Sequence, residues 1–385
     1  MRFSTSIFAS LLKPVDRRWF KSAVERHGAD DYVKSFRSWD HLVALLFAQF
    51  AQVDGLRGLV GVWNANAHQH YHLGSGALAK STFSDANARR PVALFSELFS
   101  ALSAQAGRTL RREGTAILRL LDASPIPLSR LAEGAGWNGR THGLKLHMLY
   151  DPLADHPQRI DLTPANVNDI TPAKQIPLEC DATYVFDKGY CDYGWWTRIH
   201  DAGSVFVTRR KKNARFIKTR HRSLRKKVGD GFRVIEDADV RLVTQGRRNL
   251  AIPMRRIKIE REKGGVLILI TNDLQRSALE IAELYKARWQ IELLFRWIKQ
   301  HLKLRSFLGR SDNAIRLQIV AAMIAYLLLR MAAMQSRTGL TPIRFAELVC
   351  AALFVRKPLA RIDKPPQVNP SGPRPDPRQL ELCYA

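Results

Sequence analysis

AILRLLDASPI (116–126), GLKLHMLYDP (143–152) and QRIDLTPA (158–165) are three apolar runs, each closed by Pro, Asp or Gly, and their reading decides the architecture. Runs of this length bounded by turn formers read as strands, and three in succession read as an antiparallel meander. A short helical segment around Thr171 to Lys174 follows, then a strand in ATYVFDKGY (182–190), a helix from Tyr193 to Asp201 and a strand in SVFVTRR (204–210). The order β-β-β-α-β-α-β gives a central mixed sheet with helices on its faces.

Outward from this stretch the pattern changes on both sides. Residues 1–105 carry apolar residues at helical spacing, as in DHLVALLFAQFAQ and PVALFSELFSAL, and read as an all-α N-terminal module. Downstream, FRVIEDADVRLVT, AIPMRRIKIE and GVLILITND alternate again, so residues 213–272 read as a β-rich insertion. One long helix is expected from about Ala278 to Leu304, opened by Asp273 or Ser277, with more helices over 312–335 and 342–354. The division is therefore a helical module (1–105), an α/β core in two parts (106–212 and 273–311), the insertion (213–272), a helical C-terminal region (312–362) and a Pro-rich tail (363–385) read as disordered. The element order of the core is that of ribonuclease H-like folds.

Lys and Arg number 61 against 35 Asp and Glu, a formal charge of +26. Such a field attracts polyanions, and nucleic acid is the leading one. Cys180, Cys191, Cys350 and Cys383 show no CxxC spacing, so no zinc site is expected and the thiols suit a reducing compartment. The opening residues lack a signal-peptide core, which points to the cytoplasm. The one membrane candidate, Leu317 to Met334, is interrupted by Arg330 and reads as a packed helix, so no membrane partner is expected.

In ELYKARWQIELLFRWIKQHLK (283–303), Tyr285, Arg288, Glu292 and Lys299 fall within an arc of about 60° on one helix face, joined by Arg296 and Lys303. Leu284, Ile291, Leu294, Phe295 and Ile298 take the other side. The polar face presents one carboxylate among cations and a phenol, which suits phosphate; alone, it would read as a solvated helix with an Arg288–Glu292 pair. Two further acids change that reading. Asp122 ends the run AILRLL and Asp187 ends TYVF, so both are expected to leave the sheet at strand ends. A lone Asp there is usually a turn former, but two such ends and the Glu helix form a triad. Asp181 competes with Asp187 but precedes its apolar run, and Asp151 reads as a turn residue before Pro152. Three carboxylates together repel unless they face hard cations. Magnesium is expected, and two such ions suit an in-line displacement at phosphorus.

YKARWQIELLFRWIK carries Y-(2)-R-(3)-E-(6)-K without a gap and resembles the signature of DDE transposases of the insertion-sequence-4 type. The resemblance runs over about 110–335 through LLDASPI, HGLKLHMLYDP, TPANVND and VFDKGY, while DGLRGLVGVW and YHLGSGALAKSTFSDANARRP resemble that family's helical leader domain. It implies a ribonuclease H-like core in which Asp122, Asp187 and Glu292 are catalytic and hold two Mg2+ ions, with Mn2+ as a substitute. It implies that Tyr285 and Arg288 hold phosphates near the cleaved end and that Lys299 contacts the transferred or flanking strand. The reaction implied is excision through hairpin ends followed by strand transfer. Its partners are double-stranded DNA, as terminal inverted repeats and target, and a second copy in a synaptic homodimer, in a bacterial, nucleoid-associated setting. A catalytically silent DNA-binding descendant and a nuclease without a joining step are the alternative readings.

Three more features are open at this stage. RRKKNARFIKTRHRSLRKK (209–227) holds 11 Lys or Arg and no acid. It suits tracking a DNA backbone, led by Arg209, Arg210, Lys211 and Lys212 beside the active-site strand, or else a solvated loop. Trp289, next to Arg288, suits either stacking on an unpaired base or core packing. In HQHYH, His68, His70 and His72 would share a side only in a strand, and a linker between helices is expected instead.

Overall fold

The computed structural model describes residues 5–110, 116–130, 132–224, 228–243, 252–262, 264–302, 304 and 306–365. Seven helices come first: α1 (Ile7–Leu11), α2 (Arg17–Arg26), α3 (Ser38–Phe50), α4 (Gly55–Ala65), α5 (His70–Leu73), α6 (Lys80–Arg89) and α7 (Val92–Leu110). The α/β part follows as β1 (Ile117–Pro127), β2 (Gly136–Trp137), β3 (His142–Asp151), β4 (His156–Pro164), α8 (Ile170–Ala173), β5 (Ala182–Phe186), α9 (Tyr193–Asp201) and β6 (Val205–Arg209). Next are β7 (Arg215–His221), β8 (Val228–Gly229), β9 (Phe232–Val243), β10 (Met254–Arg261) and β11 (Val266–Thr271), and then α10 (Ala278–Ala287), α11 (Trp289–His301), α12 (Asp312–Ser336) and α13 (Pro342–Ala351).

The five strands expected of the core lie in the order β4-β3-β1-β5-β6, antiparallel through β1 and parallel from β1 to β6. That is the ribonuclease H-like arrangement, and the sheet does not stop there. β11 pairs antiparallel with β6, and β10, β9 and β7 follow, so the strands of the insertion continue the central sheet. The basic segment contributes β7, an exposed edge strand rather than a loop; its residues 225–227 lie outside the described residues, as does the tail from 366 with Cys383.

Alternation along the strands builds two cores on one sheet. On one face Leu121, Tyr184, Phe186, Phe206 and Ile270 pack under α9, where Trp196 stacks on Phe206 with ring centres 4.7 Å apart. On the other, Leu118, Leu120, Val185, Val207 and Leu269 join the inner sides of α10 and α11 in the same cluster as the N-terminal helices. The apolar helix α12 runs through that cluster and packs on α3, α6 and α7, with 83% of its most apolar window buried inside the protein. The N-terminal and C-terminal helices therefore complete one interior.

The insertion is fastened by a buried ion pair. Arg255 of β10 and Asp237 of β9, 2% and 3% exposed, meet through two bonds of 2.7 and 2.6 Å. The guanidinium also donates to the carbonyls of Asp273 and Arg276, at 3.3 and 2.6 Å, in the loop that leads into α10.

The single helix expected over 278–304 is two. Of the two expected openers, Ser277 and not Asp273 caps α10, through a reciprocal box with Glu280. The run is then broken at Arg288, whose N–H donates to the Tyr285 carbonyl at 3.2 Å while the Ile291 N–H donates to the Arg288 carbonyl at 3.2 Å. These bonds span three residues, so the turn is tightened where α10 passes into α11. α11 ends at His301, short of Leu304.

Candidate active site

β1 and β5 run side by side in parallel, with Leu121 opposite Phe186 as the last pair. The next residues on the two chains are Asp122 and Asp187, so the acids emerge beside each other, about one inter-strand spacing apart in backbone. Asp187 does end its strand and begins a single turn at 188–190. Asp122 does not: β1 continues to Pro127 along β3, and Asp122 marks only the point where β5 leaves. The side chain therefore stands on a strand still paired with β3 on one side and newly free of β5 on the other.

Across from them, the helices bring the four signature residues to the same place. The Tyr285 hydroxyl donates to Asp187 Oδ1 at 3.3 Å. Arg288 reaches Asp122 Oδ2 at 3.5 Å and Glu292 Oε1 at 2.5 Å, and its guanidinium carbon lies 5.6 Å from the centre of the Tyr285 ring. Lys299 Nζ donates to the Pro125 carbonyl at 2.7 Å, beyond Asp122 on β1. Arg209, at the end of β6, approaches Asp187 at 3.7 Å, and Lys211 donates to the Cys191 carbonyl at 3.1 Å. Arg210 is half-buried and Lys212 exposed on the same exit from β6. Trp289 is 53% exposed, which removes the core-packing alternative. Arg296 is exposed too, but it lines a cavity of about 610 Å³ with Leu293, Trp297 and Tyr326, on the side of α11 away from Asp122. Lys303 lies outside the described residues.

Sequence reasoning missed one carboxylate. Asp169, before α8, lies against the turn that follows Asp187: a Cβ placed on Gly189 would sit 3.2 Å from Asp169 Oδ2. Lys145 holds it at 2.8 Å and also donates to the Val167 carbonyl at 2.7 Å. The TPANVND motif was the available signal, yet nothing in its spacing points at a sheet edge.

Electrostatics follow from this crowding. Burial, opposed by the Ala123 N–H and Arg288 and reinforced by Glu292 and Asp169, pushes the Asp122 carboxyl up to about 6. Burial likewise raises the Tyr285 phenol to about 12, so it stays protonated and donates. Among the described residues, no three His, Cys, Asp or Glu side chains are already drawn to metal-holding distance. Instead the Arg288 guanidinium sits between Asp122 and Glu292. The donor set of hard carboxylate oxygens, short of cationic partners at Asp122, nevertheless fits divalent metal.

The other candidates resolve plainly. His68, His70 and His72 fall in a 3-10 turn and α5, not a strand; His70 is buried, stacks on Trp63 at 4.2 Å and meets the Trp63 carbonyl at 3.0 Å, while the other two are exposed. Asp181 is an exposed turn residue with φ 55°. Asp151 is buried against Arg119 at 2.8 Å and accepts from the Leu153 and Ala154 N–H groups, as a turn former does.

A ribonuclease H-like sheet with acids gathered where its parallel strands end is a frame for phosphoryl transfer on nucleic acid. The chain belongs to the DDE transposase family: the Transposase DDE domain matches residues 113–328. A domain of unknown function matches residues 4–75. A putative transposase, y4zB, of Sinorhizobium fredii is 54% identical over 302 residues, 78% of this chain and 85% of that one. The probable transposase for insertion sequence element IS5377 of Geobacillus stearothermophilus is 30% identical over 215 residues, 55% of this chain and 56% of that one. The putative transposase for insertion sequence element IS4SA of Synechocystis is 29% identical over 275 residues, 68% and 74% of the two chains. The protein is thus an enzyme of DNA transposition that binds, cuts and joins DNA, and divalent-metal dependence comes with the family.

Proposed function

We propose that this enzyme is a cut-and-paste transposase of the insertion-sequence-4 type, in which Asp122, Asp187 and Glu292 hold two Mg2+ ions, or Mn2+ in their place. The observation that carries the reading is the register that sets Asp122 beside Asp187, with Arg288 spanning Asp122 and Glu292. When bound, such ions supply an activated water or DNA 3′ hydroxyl and neutralise the leaving oxygen. The chain's own residues do the rest. At neutral pH Asp122 is ionised at a cost that a bound cation would relieve, and the Tyr285 hydroxyl fixes the orientation of Asp187. Arg288 is released from the two carboxylates and turns to a phosphate, for which its forked donors are suited. Lys299 and the cations from Arg209 to Lys212 follow the strand beyond, and Lys303 joins them in holding DNA, while Arg296, turned to the other side of α11, meets DNA only outside the active site. Exposed Trp289 stacks on a base freed when the transposon end closes into a hairpin. The N-terminal helices bind the terminal inverted repeats, and pairing of two ends requires a homodimer in the synaptic complex. The enzyme works on the nucleoid in the cytoplasm.

The test is cleavage and integration of a mini-element built from the DNA flanking the coding region. With Mg2+ the wild type is expected to cut the ends and insert them, and chelation to stop both steps. Alanine at Asp122, Asp187 or Glu292 should lower cleavage by more than about 100-fold while end binding persists. Undiminished cutting by any of the three variants would remove that residue from the site.

A further inference from the structure

The connection from β1 to β3 carries an aromatic side chain that neither the fold nor the reaction so far accounts for. Trp137 is 60% exposed at the tip of the β2–β3 hairpin. The hairpin that displays it is closed by its own turn. Asn138 Oδ1 accepts from the N–H groups of Arg140 and Thr141 at 3.0 and 2.8 Å, and Gly139 takes φ 87° to close the turn. At its root Gly143 leaves no room for a side chain, since a Cβ there would lie 2.0 Å from the Ile126 carbonyl oxygen. A large ring held in water on a hydrogen-bonded hairpin suits insertion or stacking, because a Trp side chain has few rotatable bonds to immobilise on binding.

Its place selects the partner. The chain passes from β1 into this hairpin after Pro127, so the hairpin springs from the strand that carries Asp122, and Lys299, proposed above as a DNA contact, bonds the Pro125 carbonyl near its root. Arg130 and Arg140 are exposed on the same connection and outnumber its one described acid, Glu133. Trp137 pairs with His142, and Asp122 pairs with Met148, six residues further along β3. At about 3.3 Å per residue that is about 20 Å, or about six base pairs of B-form DNA.

Resting on the transposase reading above, we infer that Trp137 is a second aromatic DNA contact, wedged at a base step about six base pairs from the scissile phosphate. Side chains that insert in this way unstack the step they enter. The experiment uses the full chain and a duplex of the flanking DNA of its coding region, and reads affinity together with permanganate reactivity of thymines. Wild-type protein should make thymines about five to seven base pairs from the cleaved bond reactive. Trp137→Ala should weaken binding about ten-fold and erase that reactivity, whereas Trp137→Phe should keep most of both. An alanine variant that binds within about twofold of wild type with an unchanged reactivity pattern overturns the inference, as does one that loses self-association while its DNA affinity holds. Wild-type protein that binds but never cleaves would count against the transposase reading, not against the wedge.

Discussion

Two Arg–Asp pairs, one fully buried within the sheet and one partly buried between the sheet and the α10–α11 junction, are built to opposite ends. Arg255 and Asp237 are both almost wholly buried and meet through two short bonds, with two backbone carbonyls taking further guanidinium protons. Arg288 and Asp122 touch at only 3.5 Å, Arg288 divides itself between two acids, and its Nε finds no partner. In the first pair the low dielectric is compensated by good geometry. In the second it is not, and Asp122 is left with a raised affinity for protons. A carboxylate kept short of cations inside a rigid sheet is poised to take metal; a fully satisfied one is structural.

The contrast breaks first on stability. Arg255→Ala leaves Asp237 buried and unpaired and should cost about 3–5 kcal/mol, read by urea unfolding. Arg288→Ala should cost roughly 1 kcal/mol, since its partners are 20% and 30% exposed and solvent screens them. Cleavage by Arg288→Ala should nevertheless fall about 100-fold or more. Equal destabilisation by the two substitutions would erase the distinction.

A smaller effect has the opposite sign from most buried substitutions. A carboxyl raised from the ordinary 3.8 to about 6 disfavours the folded state once ionised in both states. That penalty appears as pH rises from about 4, is complete above about 6, and is absent when both states are protonated. Asp122→Asn should therefore be more stable than wild type at neutral pH by about 1–3 kcal/mol, with the advantage vanishing near pH 4. Metal linkage should reverse the ranking: Mg2+ should raise the melting temperature of the wild type and leave the variant unchanged. A variant no more stable than its parent at pH 7 would contradict the assigned burial of this acid.

The smallest effect concerns Asp169, whose charge is one of the influences that raise Asp122. Asp169→Asn should move the pH midpoint of Mg2+ binding downward by a fraction of a unit, because less repulsion favours ionised Asp122. A midpoint that stays put would leave Asp169 as a partner of Lys145 alone.

What could be read from the chain was what local chemistry writes. Apolar runs closed by Pro, Gly and Asp placed β1, β3, β4, β5 and β6 within a few residues, and the periodicity of residues 285–299 put four polar groups on the face that does meet Asp122 and Asp187. What escaped is set by distant partners. Neither Gly nor Pro marks the break at Arg288, which contains only helix-tolerant residues. Pairing of β11 with β6 joins segments about sixty residues apart, and no pattern within either strand states it. The basic run hid β7 because an edge strand exposed along nearly its whole length need not alternate. Asp122 was expected at a strand end because its apolar run stops there, whereas the ladder with β3 that carries β1 on to Pro127 runs through Ala123, Ser124 and Pro125, which continue no apolar run.

The path of α12 has a consequence for synthesis. α3, α6 and α7 are made early, yet the helix that fills the space between them is completed only at Ser336. The nascent N-terminal helices must wait, with apolar faces uncovered, until more than two hundred further residues have emerged from the ribosome. A chain interrupted before that point would be an open half-core and a target for proteolysis, so only a polypeptide that reaches past Ser336 yields a molecule able to act on DNA.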